Sequence, residues 1–120
     1  MLVQRISVAA SLLLLAASAV QAGNLTFQFR SNHQYSVAIE FTSQDRNHQW
    51  PGNGKAYKIA DYKVHSYKLS CQNGETICYG AWLEGDPTQY WGVGMDNENY
   101  CENCCYVCDG SRVQLINLNE

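Results

Sequence analysis

Beyond residue 22, no stretch of this 120-residue chain approaches the roughly 20 consecutive apolar residues that a membrane-spanning helix needs. No membrane span is therefore expected there. Basic residues are scarce in the last third. From Ala81 to Glu120 there is one, Arg112, against seven acidic residues, which argues against a nucleic-acid or anionic-membrane surface. Helical periodicity is almost absent. So are the short motifs of hydrolysis and metal binding: there is no HExxH and no GxSxG, and His33, His48 and His65 are scattered. No catalytic residue, cofactor or metal site is expected, and the chain is read as a non-enzyme.

What is present begins with an N-terminal export signal. Arg5 supplies a positive start, Ile6 to Ala19 an apolar run, and Val20-Gln21-Ala22 a small-residue cleavage pattern. Residues 1–22 are therefore read as a signal peptide and 23–120 as a single mature domain, secreted or periplasmic, with 7 Lys+Arg against 11 Asp+Glu. All six cysteines, Cys71, Cys78, Cys101, Cys104, Cys105 and Cys108, lie in that mature part. An even number in a small exported chain reads as a disulfide framework, because oxidising compartments keep such pairs closed and small cores need the added closure. With the cysteines paired, no thiol remains as a nucleophile or zinc ligand. The economical scheme sends one bridge each from Cys71 and Cys78 into the Cys101–Cys108 run and closes a third within it. On a helix, the run's i, i+3, i+4, i+7 spacing would put its four sulfurs on one face, so a short cysteine-rich helix or loop is expected there.

Apolar and polar residues alternate over 25–30 and 35–42, the pattern of half-buried strands, and the two segments read as a hairpin over one core. Further strands are expected at 56–60, 63–71, 76–84, 90–95 and 112–118. Val64, out of phase with Tyr67, Leu69 and Cys71, suggests a bulge or a frayed start. Asn73-Gly74 is a strong hairpin signal, and would put Cys71 and Cys78 on one face, offset and both turned toward the cysteine run. Thr76 to Glu84 is apolar on both faces, as suits a covered central strand, with Trp82 and Trp91 expected in the core. About seven short strands separated by frequent turns give an all-β class, a small disulfide-stapled antiparallel β-sandwich.

Candidate binding residues cluster in the polar stretch from Ser43 to Lys55. At about 13 residues with Pro51, Gly52 and Gly54 it is a long loop, and long loops often carry function. Asp45, Arg46, His48 and Trp50 are the expected binding residues, Trp50 as an aromatic that either stacks on a ligand or folds back over the sheet edge. Asp96, Asn97, Glu98 and Asn99 are oxygen donors of the kind calcium takes, but they do not match the twelve-residue EF-hand loop and are ordinary turn material. Glu40 and Glu84 form a conceivable carboxylate pair across a sheet.

Ser43-Gln44-Asp45-Arg46-Asn47 with Trp50-Pro51-Gly52, Leu69-Ser70-Cys71, Gly74-Glu75 with Ile77-Cys78-Tyr79-Gly80-Ala81-Trp82, Tyr90-Trp91-Gly92-Val93-Gly94 and Cys104-Cys105 resemble a family of small exported bacterial proteins of uncharacterised function. The resemblance covers most of the mature chain and implies no activity. A looser likeness, through the strand with Tyr35 and Val37 and the Trp-Pro-Gly loop, is to the thaumatin-like sandwich, and implies a sandwich only. The expected function is an exported, monomeric binding module for an envelope component, a carbohydrate or a protein. The alternatives are a small periplasmic inhibitor of a secreted hydrolase such as lysozyme and, further off, a hydrolase or toxin.

Overall fold

The computed structural model describes residues 21–119, so the signal-peptide reading lies, through residue 20, outside the described residues. The described residues form nine strands: β1 (Ala22–Ser31), β2 (Val37–Ser43), β3 (Gln49–Trp50), β4 (Tyr57–Ile59), β5 (Val64–Gln72), β6 (Thr76–Leu83), β7 (Asp86–Gly92), β8 (Cys105–Val107) and β9 (Ile116–Leu118). The only helical element among the described residues is a 3-10 turn, Met95–Asn97. The fold is all-β and disulfide-stapled, and its short strands β3 and β8 lie in segments the alternation pattern does not mark.

The strands make two sheets. One has the order β5-β1-β9; the other has β3-β2-β6-β7, with β4 also pairing β2 and β8 also pairing β6. All pairings between strands are antiparallel except that of β1 with β9, which is parallel. Period-2 alternation puts Leu25, Phe27 and Phe29 of β1 and Leu69 and Cys71 of β5 on one inner face, and Val37, Ile39 and Phe41 of β2 with Ile77 and Ala81 of β6 on the other. The two faces interlock through aromatic rings. Phe27 and Phe41 have centroids 4.6 Å apart, and Phe29 meets Tyr79 edge-on at 5.3 Å. Burial of each such phenyl ring stabilises the fold by about 2–3 kcal/mol.

Two expected hairpins are absent. β1 and β2 face each other across the core in different sheets. β5 and β6 also part company: β5 pairs β1, whereas β6 pairs β2. The Asn73-Gly74 turn carries the chain between sheets. Glu75 N–H donates to the Gln72 carbonyl at 2.9 Å, and of the two central residues only Gly74, at φ 89°, is left-handed. A type I′ hairpin turn needs both central residues there; one glycine at the third position is a type II pattern. The two flanking strands bury their apolar faces against one core from opposite sides, which a hairpin within one sheet would not permit. Cys71 therefore lies between the sheets, while Cys78 lies on the outer face of β6. Nor does β5 bulge at Val64, which pairs Arg30 in continuous register and is 42% exposed at the strand's start.

β6 is covered on both sides, as its sequence implies. On its outer face Cys78 packs with Val93 and Cys104 in a small second cluster. Gly80 lies so close beneath Gly94 that a Cβ at Gly80 would overlap the Gly94 carbonyl oxygen. The bridges are Cys71–Cys108, Cys78–Cys105 and Cys101–Cys104, two into the run and one within it. The run forms no helix: it is a loop that enters β8, where Cys105 pairs Cys78 across the ladder. Trp82 is buried, but on the outer face of β6 rather than between the sheets. Trp91 is half-buried beside the main core and donates its indole N–H to the Asn119 carbonyl at 2.9 Å.

Candidate functional site

The loop from Ser43 to Lys55 begins where β2 ends. Ser43 closes it locally: its N–H donates to the His48 carbonyl (2.9 Å), and its hydroxyl accepts from the N–H groups of Asp45 and Arg46 (3.2 Å each). Serine hydroxyls hold turns in this way. The same hydroxyl donates to Glu75 Oε2 at 2.6 Å.

Glu75 is the hub of the region. It is 4% exposed, and its carboxylate also accepts from the Gln72 N–H (2.9 Å) and from both Nε and Nη2 of Arg46, the latter at 3.0 Å. Burial alone pushes this carboxyl up. The hydrogen bonds from Arg46, Ser43 and the Gln72 N–H, together with the Arg46 charge, outweigh burial and hold it at about 2. Asp45 Oδ2 accepts the Thr76 N–H at 2.6 Å, tying the loop to the start of β6.

Trp50 does not stand out from the surface. It is 8% exposed, donates its indole N–H to the Ser70 carbonyl of β5 at 3.0 Å, and belongs to the main core. The Arg46 guanidinium lies over its ring, 5.7 Å from the centroid, and the His48 ring meets it edge-on at 4.5 Å. The Trp50–Pro51 peptide is cis. Beyond it, Gly52, Asn53 and Gly54 are left-handed, and the Lys55 N–H closes the tip onto the Gly52 carbonyl at 3.1 Å.

Of the four expected binding residues, Trp50 is buried in the core, Arg46 is half-buried against Glu75, Asp45 is exposed but holds the Thr76 N–H, and His48 is exposed at the apex. The apex encloses a concavity of about 310 Å³ lined by Asn47, His48, Gln49, Pro51, Gly52 and Asn53. Its polar groups are side-chain amides and an imidazole, which both donate and accept hydrogen bonds.

The remaining candidates are dispersed. Glu40, 5% exposed on the outer face of β2, accepts the Asp96 N–H at 2.5 Å, and burial pushes its carboxyl up. Glu84 pairs with Lys58 at 2.7 Å, so each of these two carboxylates has its own partner. Asn99 donates to the Val93 carbonyl at 3.4 Å within the turn that covers Glu40. No group of three or more His, Cys, Asp or Glu among the described residues is placed to hold a metal ion, Asp96 and Glu98 included. His33 Nδ1 accepts the Tyr35 N–H at 3.0 Å, and His65 lies 2.6 Å from Asp61.

Sequence reasoning did not single out Glu75. Its only local signal is a carboxylate directly after Asn73-Gly74, and its partners Ser43 and Arg46 lie 32 and 29 residues earlier. No family model, curated protein or solved structure matches this chain.

Proposed function

We propose that the chain is an exported binding module that takes a polar ligand at the apex of the Asn47–Asn53 loop, with hydroxyl-rich carbohydrate as the ligand class. The observation that carries this reading is the contrast within one loop. Its base is fixed by the Glu75 network and by Trp50, while its apex is concave, exposed and lined by amides and an imidazole. A fixed loop loses little conformational entropy on binding, which favours affinity. Asn47, His48, Gln49 and Asn53 are the contacting residues; Asp45, Arg46 and Trp50 position them. Export to an oxidising compartment, extracellular or periplasmic, agrees with three disulfides. The module acts as a monomer and without catalysis.

The test is retention of the oxidised mature protein on immobilised envelope glycan, beside His48→Ala and Asn47→Ala. Both substitutions are expected to weaken retention at least about fivefold, the loss of one hydrogen bond, with the thermal midpoint of Asn47→Ala unchanged and that of His48→Ala lowered only by the loss of its contact with Trp50. Equal retention of all three proteins overturns the reading. Inhibition of muramidase by the wild type, lost in His48→Ala, replaces it with a hydrolase inhibitor that uses the same loop.

A further inference from the structure

On the far side of the Gly52–Lys55 turn lies a second concavity, built on the outer face of the six-stranded sheet. Val37 and Ile39 point into the core, so Ala38 between them points out. Cross-strand register sets Lys58 of β4, Ala38 of β2, Trp82 of β6 and Tyr90 of β7 in one row across that face. The cleft at the Lys58, Ala38 and Trp82 end of that row has a volume of about 440 Å³ and is open to solvent. Ala38 and Trp82 line it together with Gly54, Lys55, Ala56, Lys58 and Glu84.

Its unpaired donors are an indole N–H and an ammonium. The chain has three indoles, and two have their N–H groups taken, Trp50 by Ser70 and Trp91 by Asn119. Trp82 is 9% exposed, yet its N–H has no acceptor among the described residues. Nor is it among the buried unpartnered atoms, where only the Thr42 hydroxyl stands, so it keeps contact with solvent. Lys55 is exposed, and no carboxylate among the described residues pairs with it; Lys58 is bound to Glu84. A free N–H and a free ammonium beside the Ala56 methyl and the edge of an indole call for a ligand with an anionic acceptor on a ring that has an apolar face.

We propose that this cleft binds an acidic sugar, a uronic acid residue within a polysaccharide, with its carboxylate on Lys55 and the Trp82 N–H and its ring C–H face against the half-buried Ala56 and the edge of the indole. The Lys58–Glu84 pair at the rim supplies a donor and an acceptor for ring hydroxyls. The cleft's openness lets the glycan chain continue along the surface, which a closed pocket for a small aromatic acid would not. This site shares no contact residue with the loop apex and stands or falls separately from it.

Titration of the 15N-labelled oxidised protein with trigalacturonate tests it. The indole N–H cross-peak of Trp82, identified by its absence in Trp82→Phe, is expected to shift. Lys55→Gln is expected to weaken binding at least about tenfold, the scale of a charge-assisted hydrogen bond, while His48→Ala leaves it unchanged. Lys55 is exposed, so that variant carries the test even where Trp82→Phe disturbs the sheet. Three results overturn the proposal: equal affinity for a neutral galactose trisaccharide, equal affinity for benzoate, or unaltered trigalacturonate binding by Lys55→Gln.

Discussion

Glu75 joins three parts of the chain through one side chain: the end of β2 through Ser43, the binding loop through Arg46 and the sheet-to-sheet turn through Gln72. Its folded-state carboxyl sits near 2, below the ordinary value of 4.5, so it stabilises the fold wherever it is ionised in both states. That contribution is complete above about pH 4.5 and is lost as pH falls toward 2. Arg46 is 33% exposed, and solvent screens its part of the network. With that discount, Glu75→Gln is expected to cost about 2 kcal/mol at pH 7. Urea midpoints between pH 7 and 2.5 check this: the gap between wild type and variant should close across the acid window. A gap that persists at pH 2.5 would assign the loss to shape rather than charge. None of this was legible locally, because a carboxylate after a turn reads the same whether it faces solvent or an arginine 29 residues away.

At the scale of elements, alternation in sequence located β1, β2, β5 and β6 well, whereas the strand expected at 90–95 runs from Asp86 to Gly92 instead. Phe27 and Phe29, Val37 to Phe41, and Leu69 with Cys71 all occupy the inner faces their phase requires. Partnership was less legible, since period 2 says which face is apolar and not which sheet the strand joins. The turn at Asn73-Gly74 misled for that reason. The doubly apolar pattern of β6 was a sounder guide, and it accounts for the cysteine-rich segment docked on the outer face. That docking depends on two backbones meeting at Gly80 and Gly94. A methyl at Gly80 must push the 93–101 segment away, because a packed backbone has nowhere to retreat. Gly80→Ala is therefore expected to cost about 2–3 kcal/mol. Amide exchange should quicken in Val93 to Cys101 and stay slow in β1 and β2. Uniformly slow exchange would show that the segment accommodates the methyl in place.

For the whole molecule, the three bridges differ in what they close. Cys71–Cys108 spans 37 residues and Cys78–Cys105 spans 27, whereas Cys101–Cys104 spans three. If chain entropy dominates, the long loops contribute about 4 kcal/mol each and the short one about 2 kcal/mol. The paired substitutions Cys101→Ser with Cys104→Ser should leave a cooperative fold with a lowered thermal midpoint. Cys71→Ser with Cys108→Ser should cost roughly twice as much, because it opens a loop of 37 residues rather than three. Calorimetry of the two double variants ranks them, and a reversed order would refute the entropic argument. The cysteine count and spacing made this framework readable in outline, since a run of four cannot close on itself economically while two partners stand elsewhere.

β1 carries a further consequence. It is the first of the described strands, yet its neighbours are β5, some 40 residues later, and β9, the last of them. A chain that emerges N-terminus first, from a ribosome or a translocation channel, presents β1 with both edges bare and no partner yet made. The three-stranded sheet cannot close until β9 has arrived, and Cys71 must wait nearly as long for Cys108. Assembly is thus gated by the arrival of β9, and throughout that interval the Leu25, Phe27 and Phe29 face is open to any other strand or chaperone that reaches it first.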